Sequence, residues 1–252
     1  MISLVGLGVG YDITVHGLEL LKDSELVFCE THTMPVPPEY IEKLEDETGK
    51  KIEVIGRDKV EGESPYVLEN AKNQNVCLLC GGDPLAATTH ISLLLDAKKA
   101  GIESEVVHNS SILSAAAGKS GLQPYRFGKT VTVSFWRRNY EPTSPLNLIK
   151  RNLDADMHTL VLMDLDAELG LMDAKLGLEL LGKMEEKERL RVLPEKVVVL
   201  SRVGYLDEKV TYGTVSELLE SNLGSAPYCI VVPAELHEVE AEYLDSFAKF
   251  KK

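Results

Sequence analysis

Residues 76–84 read VCLLCGGDP, and this stretch decides the fold. Five apolar residues without a helical period are typical of a strand that is buried on both faces, as in a parallel sheet. The turn Gly81-Gly82-Asp83-Pro84 follows at the carboxyl end of that strand, where ligands bind in open α/β sheets. The turn is therefore a candidate binding site. The alternative is an ordinary turn in which Asp83 hydrogen-bonds its own backbone.

Two further apolar runs end in comparable turns. Residues 2–6 lead into the sequence GLGVG at 6–10, and a strand near 105–108 leads to Asn109-Ser110-Ser111-Ile112. GLGVG lacks the G-x-G-x-x-G spacing, although Glu30 ends the next strand about where a ribose-binding acid would be expected, so a dinucleotide site stays open. At 109–112 the alternative is capping of the following helix. Because the carboxyl ends of parallel strands meet at one edge, the three turns are expected to form a crevice.

Strand-length apolar runs alternate with helical patterns along all 252 residues. Strands are predicted at 2–6, 26–29, 76–80, 105–108, 130–135, 158–165, 196–200 and 228–232. One helix is predicted to pack through Ala87, Ile91, Leu94 and Leu95, and the last one through Val239, Tyr243 and Phe247. This alternation predicts an α/β fold with mainly parallel or mixed sheets. Glycines and Pro124 interrupt the pattern at 118–128, so two α/β domains are predicted, at 1–120 and 121–252.

Composition excludes several classes of protein. With 27 Lys+Arg against 40 Asp+Glu, the net charge is −13, and nucleic acid is not expected as a partner because phosphate needs a basic surface. Neither a membrane span nor a secretory signal is expected, so the predicted location is the cytoplasm. Cys77 and Cys80 point to opposite faces of one strand, which excludes a disulfide between them. The histidines show no metal-ligand spacing, and no metal site is predicted.

One segment departs from the acidic balance. Over residues 119–151 a single acid, Glu141, stands among seven basic residues: Lys119, Arg126, Lys129, Arg137, Arg138, Lys150 and Arg151. These residues form either a solvated face or a docking strip for an acidic protein surface.

Five segments together resemble one family. They are the GLG turn, GGDPLAATTH (81–90), HNSSILSA (108–115), GLQPYRFGKT (121–130) and VPAELHEVEAEYL (232–244). The chain resembles the diphthine synthases over residues 2 to about 244, and more widely the tetrapyrrole-methylase-like methyltransferases that use S-adenosylmethionine. The GDP turn belongs to the wider class, whereas GDPLAATTH and LHEVEAEYL are specific to diphthine synthases.

The resemblance implies a cofactor, a substrate and an assembly. S-adenosylmethionine would lie in the cleft between two α/β domains of a homodimer. The substrate would be a histidine of translation elongation factor 2 that carries a 3-amino-3-carboxypropyl group, and trimethylation of its amine would give diphthine. The alternative is a sibling enzyme that methylates a corrinoid or other tetrapyrrole precursor. The motif positions imply cofactor contacts at Val9, Asp83, Ala86, Ser111, Ile112, Met163, Val203 and Tyr228, and they imply no catalytic residue.

Two residues depart from the pattern of the family. His32 stands in the stretch Glu30-Thr31-His32-Thr33, where relatives tend to carry an aromatic residue, and Ser110 replaces a smaller or cyclic residue. These departures concern details of the pocket.

Overall fold

The computed structural model describes residues 1–62 and 64–248. The chain divides into two compact units, Met1–Ile112 and Leu113–Lys252, which we call the first and second units. The sequence pattern predicted a domain end at residue 120, and the first unit ends at residue 112. In the described residues no helix combines the length and the apolar character needed to cross a membrane.

The first unit is built on a five-stranded parallel sheet of order β3-β2-β4-β1-β5. Its strands are β1 (Ile2–Gly6), β2 (Leu26–Glu30), β3 (Ile52–Ile55), β4 (Val76–Cys80) and β5 (Ser104–Val107). Its helices are α1 (Val15–Asp23), α2 (Pro38–Thr48), α3 (Arg57–Val60), α4 (Tyr66–Ala71) and α5 (His90–Lys99). Every residue of β1 and β4 is buried, as expected for central strands covered by helices on both faces.

The second unit is built on a mixed five-stranded sheet of order β11-β10-β12-β7-β6. Helix α6 (Ile112–Ser120) begins at the last residue of the first unit and continues into the second unit. The strands of this sheet are β6 (Val131–Val133), β7 (Thr159–Met163), β10 (Lys196–Ser201), β11 (Lys209–Thr214) and β12 (Tyr228–Val232). A separate two-stranded sheet consists of β8 (Leu165–Asp166) and β9 (Gly170–Leu171). The helices are α7 (Ser144–Asp154), α8 (Ala174–Glu188), α9 (Val215–Glu220) and α10 (Glu238–Tyr243), followed by a π-helical turn at Leu244–Ala248. Strands β6 and β7 pair in parallel, and the other pairings are antiparallel.

Two predicted helix faces are only partly correct, because Leu94 and Tyr243 are half-buried but the other predicted residues lie elsewhere. Helix α5 begins at His90 because Ala87 has a left-handed φ of +58° and lies in the preceding turn. The helix buries His90, Leu93 and Ala97, and leaves Ile91 and Leu95 each 57% exposed.

The last helix is also rotated from its predicted orientation. In α10 and the π-helical turn the buried residues are Glu240, Leu244 and Ala248, whereas Val239 and Phe247 are 67% and 75% exposed. The prediction assumed that apolar residues mark the buried face of the helix, and this face instead includes the carboxylate of Glu240.

Candidate functional site

The turns after β1 and β4 are joined by backbone hydrogen bonds. In the register of the sheet Gly6 lies beside Cys80, so the two strands end level with each other. Beyond that point Leu7 N–H donates to the carbonyl of Cys80 (2.8 Å), and Gly8 N–H donates to the carbonyl of Gly82 (2.9 Å). The GLGVG and GGDP turns therefore form one continuous edge, as the sequence predicted.

Glycine is required where these turns meet. A Cβ on Gly6 would stand 2.7 Å from the carbonyl oxygen of Gly82, a separation that real Cβ atoms do not show. Gly8 has a φ of +71°, and a Cβ there would stand 2.9 Å from Oγ of Ser110. Close approach and a left-handed backbone thus explain two of the glycines.

Asp83 ties the GGDP turn to the loop after β5. Its Oδ1 accepts a hydrogen bond from Leu85 N–H (2.9 Å), and its Oδ2 accepts from Nδ1 of His108 (2.8 Å) and from Asn109 N–H (3.2 Å). Burial acts to raise the pKa of Asp83, but these three donors outweigh it, and the pKa is lowered. The carboxylate is therefore ionised at neutral pH and holds two loops together.

Asn109 connects the same loop to the GLGVG turn. Its Nδ2 donates to the carbonyls of Gly6 and Asp12, both at 2.9 Å, and its Oδ1 accepts from Ser110 N–H (2.7 Å). Oγ of Ser110 accepts from Val9 N–H (3.0 Å). From the sequence, capping and ligand binding were both open for this loop. The hydrogen bonds by which Asn109 and Ser110 connect it to the GLGVG turn were not predicted.

The five candidate residues of the first unit lie together at this edge. Val9 belongs to the turn after β1, Asp83 and Ala86 to the turn after β4, and Ser111 and Ile112 to the loop that leads into α6. Ala86 N–H donates to the carbonyl of Asp83 (3.2 Å), which closes the GGDP turn.

The three candidate residues of the second unit share one end of its sheet. Met163 ends β7, Tyr228 begins β12, and Val203 follows the end of β10. The antiparallel pairings of Cys229 with Leu162 and of Ser201 with Tyr228 bring these strand ends side by side. A Cβ on Gly177 in α8 would stand 2.6 Å from Sδ of Met163, so this glycine lets the helix pack on the methionine.

The basic segment at 119–151 is largely ion-paired. Arg126 is only 7% exposed and lies in the interior of the second unit. Further acids outside that segment lie close to its basic side chains. The ion pairs are Lys119–Glu208, Arg126–Glu240, Arg126–Asp156, Arg137–Asp166 and Lys150–Asp154. Arg126 therefore contributes to the interior of the unit, and any docking surface rests on the remaining exposed residues.

Glu240, in the LHEVEAEYL segment, is the centre of a buried network. Its Oε1 accepts from Gln123 N–H (2.9 Å) and from Nε2 of His158 (3.2 Å), and its Oε2 accepts from Nη1 of Arg126 (2.7 Å) and from His237 N–H (2.9 Å). His158 is neutral here, since its Nδ1 accepts from Ala234 N–H (2.9 Å) while Nε2 donates. Burial lowers the pKa of His158, and despite the opposing effect of burial the four donors lower the pKa of Glu240.

Comparison with known proteins decides the family. The family of Tetrapyrrole (Corrin/Porphyrin) Methylases matches residues 1–219. A diphthine synthase from Methanocaldococcus jannaschii is 38% identical over 251 residues, which cover 97% of each chain. The chain belongs to the diphthine synthase family. A diphthine synthase from Methanothermobacter thermautotrophicus is 40% identical over 98% of this chain and 96% of its own.

A solved diphthine synthase structure has the same fold. It matches with a TM-score of 0.87 and 32% identity over 98% of this chain and 95% of that chain. The resemblance and the fold class predicted from sequence are therefore confirmed, and membership in the family makes the chain a methyltransferase. A dinucleotide site at the GLGVG turn finds no support. Matches along nearly the whole chain favour the diphthine synthases over a sibling enzyme for corrinoid or tetrapyrrole precursors.

Proposed function

We propose that the chain transfers methyl groups from S-adenosylmethionine to the amine of a 3-amino-3-carboxypropyl group on a histidine of translation elongation factor 2. Three transfers give diphthine. The observation that carries this proposal is the edge of the first sheet, where the GLGVG, GGDP and HNSS turns are fixed by Asp83 and Asn109. Relatives named diphthine synthase share the whole length of the chain.

The residues at this edge suit the cofactor. The nearest heavy atom to a Cβ built on Gly82, apart from its chain neighbours, is the carbonyl oxygen of Ser110, at 3.9 Å, so space is open beside the GGDP turn. Asp83 keeps a negative charge there, which complements a cationic ligand. We propose that S-adenosylmethionine contacts residues of both units, namely Val9, Asp83, Ala86, Ser111, Ile112, Met163, Val203 and Tyr228.

The work of the protein is mainly positioning. S-adenosylmethionine, when bound, supplies a methyl group on a sulfonium that is already activated as a leaving group. The residues at the edge must therefore hold the donor carbon in line with the amine of the substrate. Such alignment can contribute up to about 7–11 kcal/mol to lowering the barrier. Transfer ends when the nitrogen is quaternary, because it then has no lone pair.

We further propose that the protein acts as a homodimer in the cytoplasm. Light scattering on the purified chain tests the dimer, since a dimer has twice the mass of 27.8 kDa calculated for the chain.

Mass spectrometry tests the reaction directly. Translation elongation factor 2 that carries the precursor histidine is incubated with the chain and S-adenosylmethionine, and the modified peptide is weighed. The expected result is a gain of three CH₂ units on that histidine. No gain on this substrate, together with methylation of a corrinoid precursor, would refute the proposal in favour of the sibling activity.

A further inference from the structure

Three side chains of metal-binding type meet beneath the GGDP turn. Glu30 ends β2, Cys80 ends β4 and His90 begins α5. A carboxylate oxygen, the thiol sulfur and an imidazole nitrogen, one from each residue, lie within 4.8 Å of one another. The three residues are 0%, 0% and 1% exposed. Polar groups are costly to bury without a partner, and in this cluster Nε2 of His90 has no hydrogen-bond partner among the described residues.

Glu30 has room for one more ligand. Its Oε2 accepts hydrogen bonds from the N–H groups of His32 and Thr33, both at 3.0 Å, and its Oε1 accepts from the Thr33 hydroxyl. A carboxylate offers about four lone-pair sites, so one is left.

Within the described part of the chain, His90 has one ring nitrogen that is hydrogen-bonded and one that is not. Its Nδ1 lies 2.8 Å from the carbonyl oxygen of Pro84 and must donate to it, so Nε2 keeps a lone pair in the neutral ring. Nε2 is buried and has no hydrogen-bond partner among the described residues. Metal-bound histidines almost always donate their other N–H to a carbonyl or a carboxylate.

Cys80 is the third member of the cluster, and His32 lies beside Glu30. Sγ of Cys80 lies 3.7 Å from Nδ1 of His90 and 3.7 Å from the carbonyl oxygen of Leu78. Nδ1 of His32 lies 2.9 Å from Oε2 of Glu30, and its Nε2 lies 3.5 Å from Oε1 of Glu61. A bound cation would use the Cys80 thiol, because coordination deprotonates a thiol outright.

A cavity borders the cluster at His90. It has a volume of about 260 Å³ and is lined by His90 together with Glu61, Thr89 and Asp96. The two carboxylates in its wall favour entry of a cation, although each also pairs with an exposed base, Arg57 or Lys99.

We propose that Glu30, Cys80 and His90 bind a zinc ion and leave its fourth position to water. Thiolate, imidazole and carboxylate together suit Zn²⁺, whereas Mg²⁺ and Ca²⁺ are bound by oxygen ligands. The ion ties the ends of β2 and β4 to the start of α5, directly beside the GGDP turn. Sequence spacing does not reveal the site, because its ligands come from three separate elements.

Cobalt titration tests the site. The full chain, reduced and freed of metal with a chelator, is titrated with Co²⁺, which occupies zinc sites and absorbs in the near ultraviolet when bound to thiolate. The wild-type chain is expected to bind about one equivalent with this band, and Zn²⁺ is expected to remove the band. Cys80→Ser should lose the band. Cys229→Ser is the control that should keep it, because Cys229 is an equally buried free thiol in the second unit.

A second measurement does not depend on any variant. Zinc X-ray absorption of the wild-type chain should show one sulfur at about 2.3 Å and the remaining nitrogen and oxygen ligands at about 2.0–2.2 Å. Absence of stoichiometric binding, a zinc shell without sulfur, or an undiminished cobalt band in Cys80→Ser would each overturn the proposal. None of these measurements uses methylation, so their failure leaves the proposed function untouched.

Discussion

Replacing Asp83 by Asn removes one charge from the candidate site while hardly changing its shape. The asparagine oxygen can still accept from Leu85 N–H, but an NH₂ group takes the place of Oδ2. Two donors, His108 and the N–H of Asn109, then face another donor. The substitution therefore separates the GGDP turn from the loop after β5.

The structure sets the size of the effect. Leaving the Asn109 N–H without its acceptor costs about 1–3 kcal/mol. The His108 side chain is 66% exposed, so its ion pair adds at most about 1 kcal/mol. The free energy of unfolding of the first unit should fall by about 1–3 kcal/mol at neutral pH. Since the folded pKa of Asp83 is lowered, this contribution is present above its unfolded value, 3.8, and is lost as the pH falls through the folded value.

Thermal unfolding and calorimetry check the two consequences separately. Asp83→Asn should unfold at a lower temperature and bind S-adenosylmethionine about tenfold more weakly or worse, because about 1.4 kcal/mol corresponds to a factor of ten. Asp23→Asn is the control, an exposed aspartate at the end of α1, and it should change neither quantity. If Asp83→Asn kept both the unfolding temperature and the affinity of the wild-type chain, the role assigned to the carboxylate would be refuted.

Three further predictions concern other parts of the chain. Gly8→Ala, at φ +71°, should lower the free energy of unfolding by about 1–3 kcal/mol and weaken cofactor binding. Gly118→Ala, in open space on α6, should raise the free energy of unfolding by up to about 1 kcal/mol. Thermal unfolding and calorimetry compare the two variants. Glu240→Gln should destabilise the second unit by about 3–5 kcal/mol in denaturant titrations at pH 7. In the wild-type chain, acid should reduce stability first below about pH 6.5, the pKa of His158 in the unfolded chain, and again below 4.5 as Glu240 protonates. The second loss should be smaller in Glu240→Gln. Arg138→Glu, at an exposed position, should weaken the binding of translation elongation factor 2 and make that binding less dependent on salt, but leave cofactor binding unchanged. Calorimetry at two salt concentrations measures both affinities.

The sequence predicted four of the five strands of the first sheet, and the turns that follow them, because these depend on local signals. Continuous apolar runs mark β1 and β4, and the glycines that follow them mark the turns. Each of these features needs only a few neighbouring residues to specify it. The position of the three turns at one edge was also predicted, since strands of a parallel sheet end at one edge.

Strands β3 and β11 were missed for the opposite reason. In β3 only Ile52 and Ile55 are buried, and β11 carries Lys209 and Gly213 in its six residues. Both lie at the edge of a sheet, where one side of the strand has no neighbour and polar residues are tolerated.

Long-range polar contacts lay beyond the reach of sequence reasoning. Asn109 bonds to the carbonyl of Gly6, 103 residues away, and Arg126 pairs with Glu240, 114 residues away. No periodicity or spacing connects such residues, because folding alone brings them together. The basic segment at 119–151 shows the resulting error, because Arg126 was predicted to lie on the surface although it lies in the interior.

The two segments most specific to the family have different physical roles. Glu240, in LHEVEAEYL, has all of its lone pairs taken by four donors, and removing it would leave Arg126 in the interior with only the half-exposed Asp156 as an anionic partner. Breaking a buried pair in this way costs about 3–5 kcal/mol, which is a large part of the stability of a domain. The segment therefore specifies the structure of the second unit. The GGDP turn retains open space beside Gly82 and a negative charge on Asp83, so the proposed cofactor contacts include this turn and exclude the buried network.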